Sequence, residues 1–152
     1  MKIRVAQQRD IDEIAMLDRE VNLTYWTKQE YLDCLNNKLQ DIYVLESQNN
    51  EIVGAVVLSV VYDEAEILQF WIKRTCHNLG YGKILLRRIL EILQFVRFVK
   101  RVFLEVRDGN TVAINLYQSC GFKVVGKRVN YYTVDNWQFD AIIMQKQFCG
   151  LE

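Results

Sequence analysis

The sequence lacks proline entirely and contains a single histidine, and none of its four cysteines forms a Cys-x-x-Cys pair. One histidine and dispersed thiols offer no cluster of ligands, so we expect no metal site. Dispersed free thiols are typical of a reducing compartment, which predicts a cytoplasmic protein. Because proline is absent, only glycine, asparagine and hydrophobic periodicity indicate where helices and strands end.

An excess of charge of one sign and a long apolar run are also missing. Nineteen Lys and Arg residues balance nineteen Asp and Glu residues, so no overall positive field favours direct binding to nucleic acid. No apolar run approaches the ~20 residues that cross a membrane, and Met1–Val5 looks like a first strand rather than a signal peptide. With 152 residues, of which 51% are hydrophobic, we expect one domain over residues 1–152, as a monomer or weak dimer.

Hydrophobic periodicity predicts strands and helices in the order β-α-α-β-β-β-α-β-α-β-β. This order indicates an α/β (α+β) fold with a mixed central sheet of about seven strands and helices on both faces. Between the first two helices, Tyr25 and Trp26 either pack inside the protein or border a substrate groove. Residues 130–136 are expected to connect the last two strands. The predicted strands are 2–6, 42–46, 52–61, 67–72, 101–107, 122–129 and 137–147, and the predicted helices begin near residues 10, 27, 84 and 113.

A glycine-containing loop joins the fourth predicted strand to the long helix that follows it. Gly80 and Gly82 lie at the start of this helix, where free backbone N–H groups and the positive end of the helix dipole suit a phosphate. A Walker A loop is excluded because it requires glycine at His77 and Ser or Thr at Ile84. A dinucleotide fingerprint is excluded because it requires glycine at Leu85. By itself, Gly-x-Gly is also compatible with a flexible turn before a helix.

A strand, an x-x-Gly-x-Gly loop and a helix in this order resemble the acetyl-coenzyme A loop of the Gcn5-related N-acetyltransferases. A second stretch adds to the resemblance. Leu-Glu-Val-Arg at 104–107, Asn110, and Ala-Ile-x-Leu-Tyr-x-x-x-Gly-Phe at 113–122 are similar to the bacterial RimI group of that family. Asn-Tyr-Tyr at 130–132 and Asp-Ala-Ile-Ile-Met at 140–144 continue the match. The RimI group acetylates the N-terminal alanine of a small-subunit ribosomal protein.

The resemblance implies acetyl-coenzyme A as cosubstrate and the N-terminal peptide of a ribosomal protein as partner. By the same resemblance, the strand end pairs its backbone with the pantetheine arm, the loop binds the pyrophosphate, and Asn110 touches coenzyme A. Asn110 could equally cap the short helix that follows it, and both roles are compatible. The residues implied in binding acetyl-coenzyme A are Trp71, Ile72, Lys73, His77, Asn78, Leu79, Gly80, Tyr81, Gly82, Lys83 and Asn110.

Acetyl transfer to an amine needs a base that removes the amine proton and an acid that protonates the departing thiolate. Glu105 is the expected base, because partial desolvation in an apolar strand would favour its taking up a proton. The alternative is a solvent-facing glutamate paired with Arg101 or Arg107. By resemblance, Tyr117 is the expected acid, and its phenol is protonated at neutral pH. The alternative for Tyr117 is a core aromatic.

By the same resemblance, Tyr131 and Tyr132 line the acceptor groove, or else they pack in a β-hairpin. The acceptor could instead be a lysine side chain, a small amine or an aminoacylated RNA, although the balanced charge argues against RNA. A non-catalytic acyl-coenzyme A sensor is a further alternative, and it would need the glycine loop but no acid–base pair. An α-amine has a pKa of about 7.7–8.0, against about 10.4 for lysine, and this easier deprotonation favours an N-terminal acceptor.

Overall fold

The computed structural model of the chain describes residues 1–148, and these contain the strands and helices in the predicted order. Cys149 lies outside the described residues. Among residues 1–148, no helix is long and apolar enough to span a membrane. The strands are β1 (Lys2–Val5), β2 (Gln40–Glu46), β3 (Ile52–Val61), β4 (Glu64–Ile72), β5 (Arg101–Arg107), β6 (Lys123–Val134) and β7 (Trp137–Gln147). The helices are α1 (Ile11–Val21), α2 (Lys28–Leu35), α3 (Tyr81–Glu91) and α4 (Thr111–Ser119).

The strands form a seven-stranded sheet in the order β1-β2-β3-β4-β5-β7-β6. Neighbouring strands are antiparallel except β4 and β5, which run parallel. This one parallel pair follows from the α3 crossover, because parallel neighbours need a long connection between them. The predicted mixed sheet is therefore confirmed.

Apolar clusters cover both faces of the sheet. On one face, α3 and α4 pack on the strands, and Leu86 and Ile89 of α3 are fully buried. On the other face, α1 and α2 pack on the strands, and Ile14 and Tyr31 are fully buried. The prediction of helices on both faces is confirmed, and we call these surfaces the α3/α4 face and the α1/α2 face.

Local side chains and backbone angles set two helix starts. The Thr27 hydroxyl accepts from the N–H of Glu30 at 3.2 Å, and the Glu30 carboxylate accepts from the N–H of Thr27 at 3.2 Å. This capping box begins α2 where the sequence predicts it. Helix α3 begins after Gly80, whose φ of +82° favours glycine. After α3, Ile92–Val96 forms a π-helical turn.

Strand β6 is longer than predicted. Residues 130–134, expected to belong to a connection, continue the strand, and only Asp135 and Asn136 form the turn, with φ of +48° and +69°. The pairing with β7 is irregular around Asn130, which has a φ of +54° and whose N–H donates to the Asp140 carboxylate at 2.8 Å. The sequence pattern missed this part of β6 because a bulge breaks the alternation and asparagine is typical of turns.

Strands β4 and β5 separate after a short paired segment. Their ladder ends at Ile67 and Leu104, and Leu68, the next residue of β4, bulges out of the pairing with β3. Beyond this point the two strands form no ladder with each other within the described residues. We call the opening between Leu68–Ile72 and Glu105–Arg107 the wedge.

Candidate active site

Phe70 and Ile72 present backbone groups on the β4 side of the wedge. The N–H of Lys73 donates to the carbonyl of Val53 at 2.8 Å. This bond makes Ile72 and Gly54 a non-hydrogen-bonded pair in the β3–β4 ladder. The N–H and C=O groups of Ile72, and by alternation those of Phe70, therefore point away from β3 and into the wedge. An extended chain containing amides could pair with them as an added strand does.

Trp71, which the resemblance implies in binding acetyl-coenzyme A, lies outside the wedge. Its backbone pairs with Ala55 of β3. Its ring is 2% exposed in the core of the α1/α2 face, and the ring N–H donates to the hydroxyl of Tyr31 at 3.1 Å. A hydrophobic strand end does not indicate which residues have free backbone groups, and here the free groups belong to Phe70 and Ile72.

The bulge at Leu68 decides which face each later side chain of β4 reaches. Ile67, before the bulge, packs in the cluster of the α3/α4 face. After it, Phe70 and Ile72 pack with this same cluster, and Gln69 reaches α1 on the other face. Without the bulge these later side chains would exchange faces, because side chains alternate along a strand with a period of two.

The loop between β4 and α3 folds back on the end of β4. His77 is exposed as predicted, and its Nε2–H donates to the carbonyl of Ile72 at 2.7 Å. Asn78 and Gly80 have φ of +62° and +82°, so the chain passes twice through the left-handed region before α3. The first N–H groups of α3 have no helical partners, so this end of the helix could bind an anion. Of the other predicted contacts, the loop and its flanks contain Lys73, Leu79, Tyr81, Gly82 and Lys83.

The two glycines of the loop have different structural requirements. A Cβ on Gly80 would meet no atom within 4 Å, so only its positive φ requires glycine. A Cβ on Gly82 would lie 3.2 Å from Cδ2 of Leu116 and 3.7 Å from Cγ1 of Ile72. Gly82 therefore allows α3 to pack closely against α4 and the end of β4.

Glu105 points from β5 to the α1/α2 face, beside the wedge. Its neighbours Leu104 and Val106 are buried toward the α3/α4 face, so alternation turns Glu105 the other way. Its side chain is 17% exposed, and Oε1 lies 3.4 Å from Nε of Arg128 on β6. The ion pair thus joins β5 to β6. The alternative interpretation, in which Glu105 pairs with Arg101 or Arg107 of its own strand, is not what the structure shows.

A cleft of about 230 Å³ opens in front of Glu105 and is also lined by Glu66 and Arg128. Glu66 lies opposite Phe103 in the parallel ladder, and Phe103 and Glu105 are two residues apart on β5. The side chains of Glu66 and Glu105 therefore reach the same face, and both carboxylates line this cleft. Desolvation first, and then the charge of Glu105, raise the pKa of Glu66, while Arg128 lowers it. Glu66 was not among the predicted site residues, although its position between the apolar residues Ala65 and Ile67 of β4 is a sequence signal for this face.

Tyr117 lies on the α3/α4 face, on the opposite side of the sheet from Glu105. Its ring centroid is 6.0 Å from that of Phe70 and 5.7 Å from that of Phe122. Burial first, and then the phenol of Tyr132, raise the pKa of Tyr117. The side chain is 6% exposed, and its hydroxyl forms no hydrogen bond within residues 1–148. The buried phenol is therefore protonated at neutral pH.

The β6–β7 hairpin brings two tyrosines to the wedge. Tyr131 is 47% exposed, the guanidinium of Arg128 lies 5.2 Å from its ring centroid, and the Glu105 carboxylate raises the pKa of its phenol. Tyr132 is half-buried, and burial and then Glu105 raise its pKa to about 12. Because Tyr132 also influences Tyr117, it lies within electrostatic range of both candidate catalytic groups.

Asn110 caps α4. Its Oδ1 accepts from the N–H of Ala113 at 3.3 Å, and its own N–H donates to the carbonyl of Arg107 at 3.0 Å. The capping role is therefore confirmed. The contact with coenzyme A that the resemblance implies stays a prediction.

The wedge brings together the groups that acyl transfer to an amine requires. An open strand edge adjoins a helix N-terminus, a carboxylate faces the α1/α2 side and a phenol the α3/α4 side. A proton acceptor and a proton donor on opposite sides of one opening can serve an attacking amine and a leaving group in the same reaction. In the described part of the chain, no cluster of three or more His, Cys, Asp or Glu residues could hold a metal ion. The fold and the site are those of an acyltransferase.

The chain belongs to the acetyltransferase (GNAT) family, whose model matches residues 8–122. Enzymes of this family use acetyl-coenzyme A. A ribosomal protein bS18-alanine N-acetyltransferase of Haemophilus ducreyi is 29% identical to the chain over 143 residues, which are 93% of this chain and 97% of that protein. The protein of the same name in Escherichia coli strain K12 is 36% identical over 98 residues, 64% of this chain and 66% of that protein.

A solved structure agrees with these sequence relatives. The crystal structure of the ribosomal-protein-S18-alanine N-acetyltransferase from Escherichia coli superposes with a TM-score of 0.88 at 26% identity, covering 99% of this chain and 96% of that one. The family and the enzyme class that the glycine loop and residues 104–122 predict are thus confirmed.

Proposed function

We propose that this enzyme transfers an acetyl group from acetyl-coenzyme A to the N-terminal α-amine of an alanine, and that its acceptor is ribosomal protein bS18. The observation that carries the proposal is the placement of Glu105 and Tyr117 on opposite faces of the sheet beside the wedge, in a chain whose bS18-acetylating relative matches it over 97% of that relative's length. We expect the enzyme to act in the cytoplasm as one domain, monomeric or weakly dimeric, without binding nucleic acid directly.

Acetyl-coenzyme A fits the β4 side of the wedge. It would supply the acetyl thioester, and its pantetheine amides could pair with the free backbone groups of Phe70 and Ile72. The carbonyl of Ile72 already accepts from His77, but a carbonyl has two lone pairs and can accept again. The N–H groups that follow Gly80 would bind the pyrophosphate, as helix N-termini commonly do.

The acceptor amine would enter from the α1/α2 face, where Glu105, Arg128 and Tyr131 border the cleft. Glu105 takes the proton from the amine, either directly or through water, and the ion pair with Arg128 holds the carboxylate in place. Tyr117 gives its proton to the departing thiolate from the α3/α4 face. An α-amine gives up its proton more readily than a lysine, by about 2–3 pKa units.

The acceptor is tested with two peptides and mass spectrometry. The first has the N-terminal sequence of bS18, beginning with alanine, and the second is the same peptide with a blocked N-terminus and one internal lysine. We expect the α-amine peptide to be acetylated at least about 100-fold faster, following the pKa difference between the amines. Comparable rates would identify a lysine acetyltransferase instead, and no transfer to either peptide would contradict an N-terminal peptide acceptor.

The glycine loop is tested at Gly80, where only the backbone angle is at issue. A β-branched valine cannot adopt a φ of +82° without strain, whereas asparagine tolerates it. We expect Gly80→Val to weaken acetyl-coenzyme A binding about tenfold or more in calorimetry, and Gly80→Asn to bind within a few-fold of the wild type. A substitution at Gly82 would be harder to interpret, because its side chain would contact Leu116. Equal binding by all three proteins would exclude the loop from the pyrophosphate site.

A further inference from the structure

Asp18 of α1 is a fully buried carboxylate that collects hydrogen bonds from three different parts of the chain. Its oxygens accept from the hydroxyl of Tyr31 at 2.6 Å, from the N–H of Trp26 at 2.9 Å and from the side-chain amide of Asn22 at 2.6 Å. Nε2 of Gln69 on β4 donates to both oxygens, at 2.9 and 3.1 Å. Charge-assisted bonds of this kind offset the cost of burying the carboxylate.

Two of these bonds, from Asn22 and Trp26, hold the segment between α1 and α2, residues 22–27, against Asp18 of α1, and Gln69 joins Asp18 to the sheet. Gln69 connects this segment to β4 twice, because its amide also donates to the carbonyl of Thr24 at 3.1 Å. Gln69 can do so only because the bulge at Leu68 turns its side chain to the α1/α2 face. The bulge at Leu68 therefore has two effects. It opens the wedge, and it turns Gln69 to the face where this side chain anchors residues 22–27.

The anchored segment lies on the face that carries Glu105 and Glu66. Gln69 also directly precedes Phe70, whose backbone groups face the wedge. Residues 22–27 thus border the acceptor side of the wedge near β4, while Tyr131 borders it near β6. We expect an acceptor peptide that reaches Glu105 to pass between these two borders.

We propose that Asp18 and Gln69 are positioning residues of the acceptor site. They hold residues 22–27 in the one conformation that forms a wall for the acceptor peptide, so less ordering of the segment is needed when the peptide binds. This inference rests on the proposed function. It predicts that loss of the anchor raises the KM for the peptide and leaves the KM for acetyl-coenzyme A unchanged.

The test compares Gln69→Leu with Tyr31→Phe. Tyr31→Phe removes one hydrogen bond to Asp18, and Gln69→Leu removes the two from Gln69. Only Gln69→Leu detaches residues 22–27 from β4, since Tyr31 belongs to α2 and contacts Trp71. We expect Gln69→Leu to raise the peptide KM about tenfold with kcat within about threefold. We expect Tyr31→Phe to lower the melting temperature while the peptide KM stays within about twofold. Gln69→Asn, which keeps an amide, should recover part of the affinity.

Amide hydrogen exchange at Trp26 measures the anchor without any acceptor, because its N–H bonds directly to Asp18. We expect exchange in Gln69→Leu at least about tenfold faster than in the wild type. Faster exchange with an unchanged peptide KM would show that the segment does not contact the acceptor and would overturn the inference. So would equal effects of both variants on the peptide KM. If the wild type acetylates no α-amine peptide, the proposed function fails, whatever Trp26 shows.

Discussion

Replacing Glu105 by glutamine is expected to lower kcat by about 10²–10⁴-fold, the usual contribution of a positioned proton-transfer group. Glutamine has nearly the same shape but cannot accept the amine proton. Binding of acetyl-coenzyme A should change little, because the carboxylate faces the α1/α2 side of the wedge and not the glycine loop. Steady-state kinetics with the peptide, together with calorimetry for acetyl-coenzyme A, measure both quantities.

Glu66→Gln is the matched control for this experiment. It removes a carboxylate from the same cleft, and its neighbour Glu105 stays in place. We expect kcat to remain within about fivefold of the wild type. If Glu66→Gln instead loses activity and Glu105→Gln keeps it, the base is Glu66. Desolvation and the neighbouring charge of Glu105 raise the pKa of this carboxylate. Normal turnover in both variants would contradict carboxylate base catalysis in this cleft.

Replacing Tyr117 by phenylalanine is also expected to lower kcat by about 10²–10⁴-fold, because it removes the proton that the departing thiolate needs. The ring packing against Phe70 and Phe122 is kept, so the melting temperature should change by no more than a few degrees. Affinity for acetyl-coenzyme A should also be kept. Tyr132→Phe is the control, since it removes a second phenol from the same region; a larger loss there would identify Tyr132 as the acid.

The pH dependence of kcat provides a second measurement on Tyr117. Burial raises the pKa of this phenol above its usual value of about 10. An acid with a raised pKa stays protonated over the whole neutral range and loses its proton only at higher pH. We therefore expect no loss of kcat from this group below about pH 10 in the wild type. An alkaline limb at or below about pH 10 that disappears in Tyr117→Phe would show that the pKa of the phenol is not raised.

The element order followed from the sequence because most of its signals are local. Alternation along residues 101–107 and 137–147 predicted β5 and β7 with the bounds that the structure has, and Thr27 with Glu30 predicted the start of α2. The family was also predictable, since the glycine loop and residues 104–122 are continuous stretches. The end of β6 was missed because Asn130 and Asn136 suggest turns, whereas the ladder with β7 continues on both sides of the bulge.

For the candidate site too, the sequence indicated some residues and only the structure showed how they are placed. Glu105 and Tyr117 were nominated from their own positions in a strand and a helix, but the sequence could not say that they lie on opposite faces of the sheet. Trp71 was implied in cosubstrate binding, yet its ring lies in the core, while Phe70 and Glu66 were missed. The placements of Trp71 and Phe70 depend on one bulged residue, Leu68.

The sequence by itself determined the order of strands and helices, the position of the glycine loop and the family, because each depends on residues close together in the chain. Only the tertiary structure decided which β4 backbone groups are free, that Arg128 pairs with Glu105, and that Asp18 anchors Gln69. The physical reason is that a bulge reverses the faces of all later side chains in its strand. Its energy depends on contacts with residues up to 51 positions away, which no local pattern records.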